Sequence, residues 1–397
     1  MTRKKRVLLG SILLVGIWLF LRNFYGFVPY QEGDDKVSLQ ASSLPYYDYK
    51  GVIHAHSIYS DGAGDFPEII SEAQAAQIDY LITSDHNTLK PYQKGLEGWH
   101  QGLILLIGEE ISTDTGHLLA LRITKEGVSS PSQKSIDSVN KDGGFSFLAH
   151  SENMKIPWRD WNVQGYTGIE IINMDSVVRR KALQIDGIYS LLRYLQSPNN
   201  LRDVVSNNPP TLELKRWDEL TKERRVVGIS SVDAHGIIKI FDKKYKMPTY
   251  EHMFRSATTH VVTGEKFSGD FSKDKELLYK TIELGHVYGV FEETIPATGF
   301  LFFGENSKEK VVMGDEIVYQ AGEPLKLFVS LPNGQEGIIK LVKDGKIIKE
   351  HAGRDMTYTA DGPGVYRVEV YLYDKRLPFN LYWGSRPWIY SNPIYIR

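Results

Sequence analysis

Two short stretches share one spacing: His54-Ala55-His56 and Asp233-Ala234-His235, each closing an apolar run. Along an extended backbone alternate side chains share a face, so each stretch would present a pair of donors together. Imidazole and carboxylate donors suit a divalent transition metal, and the sequence has no cysteine to offer sulfur instead. Glu110 can join the two pairs, and Asp61, His86, His117 and His150 leave donors for two further ions. A carboxylate such as Glu110 can bridge two metals. Ions a few ångström apart can generate a hydroxide nucleophile and clamp the oxygens of a phosphoryl or acyl group.

Each signal alone also has an ordinary structural reading. Asp61 can cap a turn before Gly62, and His117 can simply open the strand GHLLAL. What joins the residues is their place in the pattern. Short apolar runs (GVIHAH, IDYLITSDHN, GLILLIGEE, FSFLAHSE, GIEIIN, RVVGISSVDAHG) alternate with helical stretches such as GDFPEIISEAQAAQ, where Asp65 is a candidate N-cap and Pro67 sits in the first turn. This is the pattern of βα units around a parallel sheet, an α/β fold. His54, His56, His86, Glu110, His150, Asp233 and His235 all fall at or just past the C-terminal ends of these runs. In a barrel of parallel strands those ends converge on one face.

The ordered set HAHSIYSDG, SDHN, GEEIST, GHLLAL, FLAHSE, GIEIIN and SSVDAHG resembles the polymerase and histidinol phosphatase (PHP) superfamily of metallohydrolases, over roughly Tyr47 to Val290. The resemblance implies a distorted (β/α)7 barrel and a site of nine residues holding two or three divalent ions, Zn, Mn or Fe. By motif, His54, His56, Glu110 and Asp233 would hold the first ion, Glu110, His117 and His150 the second, and Asp61, His86 and His235 the third. Glu110 is preferred to Glu109 because the motif reads Gly-x-Glu-Ile-Ser and Gly108 fixes its register. The stretch GEEISTDTGH is similar to the branch containing carbamate and ester hydrolases related to carbaryl hydrolase. No catalytic side chain is implied beyond a metal-bound hydroxide. The expected activity is hydrolysis of a phosphoric monoester or diester, with a carboxylic ester or carbamate as the alternative on the same site. A binding protein with structural metals is a third reading.

Asp85 and Glu170 are candidates for orienting a ligand, against a turn role for Asp85 and a buried structural hydrogen bond for Glu170. His100, His252, His260 and His286 read as surface or core residues. Arg179, Arg180 and Arg193 lie in a long segment, Met174 to Arg225, placed to cover the site; solvated helix charges explain them equally well.

Composition bounds the rest. The chain has 397 residues, 42% hydrophobic and 24% charged, with a formal net charge of −2, which gives no electrostatic case for nucleic acid as a partner. A basic run, MTRKKR, precedes VLLGSILLVGIWLFL, so residues 1–30 read as a signal anchor or transmembrane helix; a cleaved signal peptide fits the length as well. Arg3, Lys4, Lys5 and Arg6 would stay cytoplasmic, leaving the rest on the periplasmic or extracellular face. Residues 45–294 form the expected metallohydrolase domain, acting on a small-molecule ester. Residues 295–397, with alternating apolar positions and the turn signal KDGK, read as an immunoglobulin-like β-sandwich.

Overall fold

The structure, a computed structural model, describes residues 28–29, 46–182, 209–240, 243–292, 295–320, 322–373, 376–377, 381–382 and 384–397. The expected N-terminal membrane segment lies outside the described residues except for Val28–Pro29, which pairs with Leu381–Tyr382. Arg193 lies outside them too. Among the described residues no helix is long and apolar enough to cross a membrane.

The fold is a mixed α/β architecture built on one large sheet. Its first strands are β1 (Tyr47–Ile53), β2 (Tyr80–His86), β3 (Leu103–Ser112), β4 (His117–Leu121), β5 (Phe145–Leu148), β6 (Gly168–Asn173) and β7 (Val227–Ser231). They read as near-continuous apolar runs because both faces are covered. Ile104 and Leu106 face an inner cluster with Ile53, Ile82, Leu119, Phe147 and Ile229. Leu103, Leu105 and Ile107 face an outer cluster that takes side chains from α1 (Phe66–Ala75), α2 (Ser132–Lys141), α3 (Met174–Ala182), which follows β6 directly, α4 (Thr211–Glu223) and the short helix Tyr250–Phe254. Helix α1 begins as its sequence indicates, with the Asp65 side chain accepting from the Glu68 backbone N–H and Pro67 in the first turn.

Pairing runs β1–β2–β3 in parallel, passes through β4 antiparallel to both its neighbours, and resumes in parallel through β5–β6–β7. The two ends then meet. Ala55 and Ala234 form a parallel bridge, with His56 N–H donating to Ala234 O at 2.9 Å and Ala234 N–H to His54 O at 3.3 Å. Lower down, β8 (Thr258–Thr263) pairs antiparallel with β1, and the Thr259 hydroxyl bonds both backbone groups of Ser230. Helix α5 (Phe271–Leu284) adds Leu278, Tyr279 and Ile282 to the inner cluster.

From β8 the sheet continues through β9 (Val287–Val290) into the C-terminal region. There β10 (Leu301–Glu305), β11 (Lys310–Val312), β12 (Lys326–Ser330) and β15 (Asp355–Thr359) form a separate antiparallel layer. Facing it are β13 (Gly337–Lys343), β14 (Lys346–Gly353), β16 (Gly364–Tyr373), β17 (Ser385–Ser391) and β18 (Ile394–Ile396). Strand β17 pairs with β9, so this second layer belongs to the same sheet as the ring. The core between the layers takes Phe302, Leu327 and Val329 from one side, Ile339, Leu341 and Val368 from the other, and Val262, Tyr288 and Val290 from β8 and β9. The β13–β14 hairpin turns through Asp344 and Gly345 at φ 51° and 80°, the positive values a two-residue turn requires.

Candidate metal centre

The two X-Ala-His stretches do not lie on extended strands, as the spacing argument supposes. Strand β1 stops at Ile53 and β7 at Ser231; His54 then turns at φ 73° and Asp233 at φ 52°. The corners clasp each other through the Ala55–Ala234 bridge, and this brings both pairs of donors inward. His150, just past β5, is also left-handed at φ 32°. Three non-glycine residues in that region, at about 1–3 kcal/mol each, are strain gathered at one place in the fold.

All nine residues singled out by the sequence meet at this end of the ring. His54 Nε2 lies 3.1 Å from both His56 Nε2 and Glu110 Oε2, and 3.5 Å from Asp233 Oδ1. His56 Nε2 lies 3.2 Å from Glu110 Oε2 and from Asp233 Oδ1. The other Glu110 oxygen, Oε1, is 2.8 Å from His117 Nδ1 and 2.9 Å from His150 Nε2. On the far side of His56, Asp61 lies 3.3 Å from His235 Nε2 and 3.9 Å from His86 Nε2. Depth separates the three groups. His54, His56 and Glu110 are at most 1% exposed, whereas the Asp61 side chain is 56% exposed, so the third group faces the opening. Glu109 points the other way, its carboxylate accepting from the Gly127 N–H at 2.8 Å.

The donor set fits divalent ions. Two ligands bound tetrahedrally at ~2.0–2.1 Å stand ~3.3 Å apart, close to the separations within the first group. Buried Nδ1 atoms of His56, His86 and His150 have no hydrogen-bond partner. Without metal the charges compensate one another. Burial opposes ionisation of Glu110 and Asp233, but the surrounding imidazoles outweigh it and hold both well below the usual carboxylate range. Burial likewise disfavours charged His56 and His150, yet Asp233 and Glu110 raise the first to about 10, and Glu110 raises the second to about 9. Metal binding would displace these protons.

Asp85 orients no histidine. It accepts from Ser57 N–H (2.8 Å) and from the Ser57 and Ser60 hydroxyls (2.6 Å each), locking the loop that carries Asp61. Glu170 is fully buried against His54 and the His150 backbone. Asn173, not among the residues that the sequence pattern singles out, donates to Glu170 at 2.9 Å and stands 3.4 Å from Asp233. Its only sequence signal is its place at the end of GIEIIN.

No protein-family model matches the chain, and no curated protein does. Solved structures do. One is a two-domain protein from Bacteroides vulgatus described as containing a predicted PHP-like metal-dependent phosphoesterase, with 14% identity over 92% of this chain and 98% of that one and a TM-score of 0.41. A second, from Bifidobacterium adolescentis, is assigned as a metal-dependent phosphoesterase, with 15% identity over 50% of this chain and 91% of that one and a TM-score of 0.33. A third is an amidohydrolase from Chromobacterium violaceum with bound sulfate and no metal, with 13% identity over 47% of this chain and 87% of that one and a TM-score of 0.29.

Proposed function

We propose that the chain is a metal-dependent phosphoesterase of PHP type, working at the centre built by His54, His56, Asp61, His86, Glu110, His117, His150, Asp233 and His235. The observation that carries the reading is the split carboxylate of Glu110, one oxygen among His54, His56 and Asp233 and the other against His117 and His150. Divalent ions held there would supply Lewis acidity toward a phosphoryl oxygen and activate water. The residues supply the rest. Buried His54, His56 and Glu110 form a floor from which bulk water is excluded, and the exposed Asp61 edge gives an anionic substrate its approach. The carboxylic ester and carbamate alternatives would use the same centre on a carbonyl carbon in place of a phosphorus. We further propose that residues 1–30 anchor the chain and that the site faces outward from the membrane.

The test uses the full chain in detergent, loaded with Mn, Zn or Fe, against matched chromogenic phosphate and carboxylic esters, with Asp233→Asn as control. Phosphate turnover abolished in the control is the expected result. Turnover of the carboxylic ester alone would replace the phosphoesterase reading by the carbamate and ester one. Silence on both with metal bound would favour a binding protein.

A further inference from the structure

Glu170, in β6, spends its carboxylate on two different donor groups. Oε1 lies 2.6 Å from His54 Nδ1; Oε2 accepts from the His150 backbone N–H at 2.6 Å and from Asn173 Nδ2 at 2.9 Å. We infer that Glu170 is a positioning residue that fixes which nitrogen of His54 faces the metal centre while pinning the left-handed turn at His150. The inference rests on the proposed metal centre and adds a role for a residue outside the nine.

The His150 N–H and the Asn173 amide nitrogen can only donate, so Oε2 must accept. An ionised carboxylate offers nothing but acceptors on its other oxygen either, so His54 must carry a proton on Nδ1. That leaves the Nε2 lone pair directed at the space shared by Glu110 Oε2, His56 Nε2 and Asp233 Oδ1. The opposite tautomer would aim an N–H at that space and remove His54 from the donor set. A carboxylate behind a ligating imidazole also raises its basicity as a ligand. Asn173 extends the same support toward Asp233.

Glu170→Gln, nearly the same shape, separates this role from ordinary core packing. The amide oxygen must stay with the His150 N–H, whose direction cannot reverse, so the amide NH2 faces His54 Nδ1 and drives the proton to Nε2. Zinc competition titration of the full chain should then show one class of site weakened 10–100-fold, with the class formed by Glu110, His117 and His150 retained. A merely structural role would weaken all classes alike and lower the melting temperature of the metal-free chain. A direct measurement needs no variant: in the zinc-loaded wild type, histidine 15N spectra should show His54 protonated at Nδ1 and ligating through Nε2. His54 protonated at Nε2, or equal zinc affinity in Glu170→Gln, would overturn the inference while leaving the metal centre standing. A wild type that binds no zinc, manganese or iron would overturn both.

Discussion

At the scale of the residue, the centre is organised by a carboxylate with two separate duties. Glu110 is 1% exposed and each of its oxygens faces two imidazoles or more. Replacing it by Gln removes an anionic oxygen from two donor groups at once. Glu110→Gln should therefore lose metal from both groups, with turnover falling by more than the roughly 10²–10³-fold seen for deleting one preorganised electrostatic group. Asp61→Asn, at the exposed edge, should spare those two groups and release at most one ion. Elemental analysis of the two variants after gel filtration checks the contrast; equal metal loss in both would refute it. Donor identity was legible in the sequence because ligation demands particular side-chain types. The backbone that aims them was not. Nothing in a His or Asp announces a left-handed φ, so the sequence of the corners at His54 and Asp233 reads as extended strand. Asn173 is illegible for a related reason, since an amide at a strand end is as ordinary in sequence as it is specific in place.

At the scale of the element, the loop from Ser57 to Gly62 decides where Asp61 sits. Asp85 holds it with three hydrogen bonds, and the chain doubles back so tightly that a Cβ on Gly62 would stand 2.3 Å from His56 O and 2.8 Å from Ser57 N. These contacts are backbone atoms tied to the Ala234 pairing, so the loop itself must yield. Gly62→Ala should cost about 1–3 kcal/mol, the usual range for overpacking, and should displace Asp61 from His235. Thermal melting of the metal-free variant measures the first effect. Zinc titration measures the second, with only the outermost class of site weakened; a variant matching wild type in both would show that the loop has room the geometry denies. Elements of this size were the most legible part of the chain. Apolar runs marked β1 to β7, Asp65 marked the start of α1, and Asp344-Gly345 marked a hairpin, because strand burial, capping and positive φ each restrict residue type locally.

At the scale of the whole molecule, pairing between distant strands decides the outcome, and no local pattern encodes it. The C-terminal layers read as a separate sandwich, yet β17 pairs with β9, and Asn392 bonds the Gly228 backbone on both sides and the Val287 carbonyl. Ending the chain at residue 294 would bare the β9 edge and the apolar faces of Val262, Tyr288 and Val290, so the fragment should aggregate where the full chain does not. Light scattering of the two decides it. A second tie across this seam is ionic. His260 in β8 is fully buried, with Nδ1 2.8 Å from Asp48 of β1 and Nε2 2.6 Å from Glu292 beyond β9. The Tyr288 hydroxyl and the Gly299 N–H also bond Asp48, each at 2.6 Å. With a carboxylate on each ring nitrogen, both nitrogens must donate, which makes the ring an imidazolium. Burial pulls its pKa down, but Asp48 and Glu292 outweigh that and raise it to about 9. A folded-state value above the unfolded one, near 6.5, gives stability that is complete below pH ~6.5 and lost as pH climbs through about 9, up to about 3 kcal/mol in all. His260→Gln carries no titrating group between the two carboxylates and should lack that dependence. Urea midpoints taken from pH 6 to pH 10 should show the gap between wild type and variant widest at the acid end and closing through pH 9. Taking the difference removes the titration of the metal-site histidines, which both chains share, so a gap that stays constant across the range would mean that His260 is held neutral and the seam depends on packing alone.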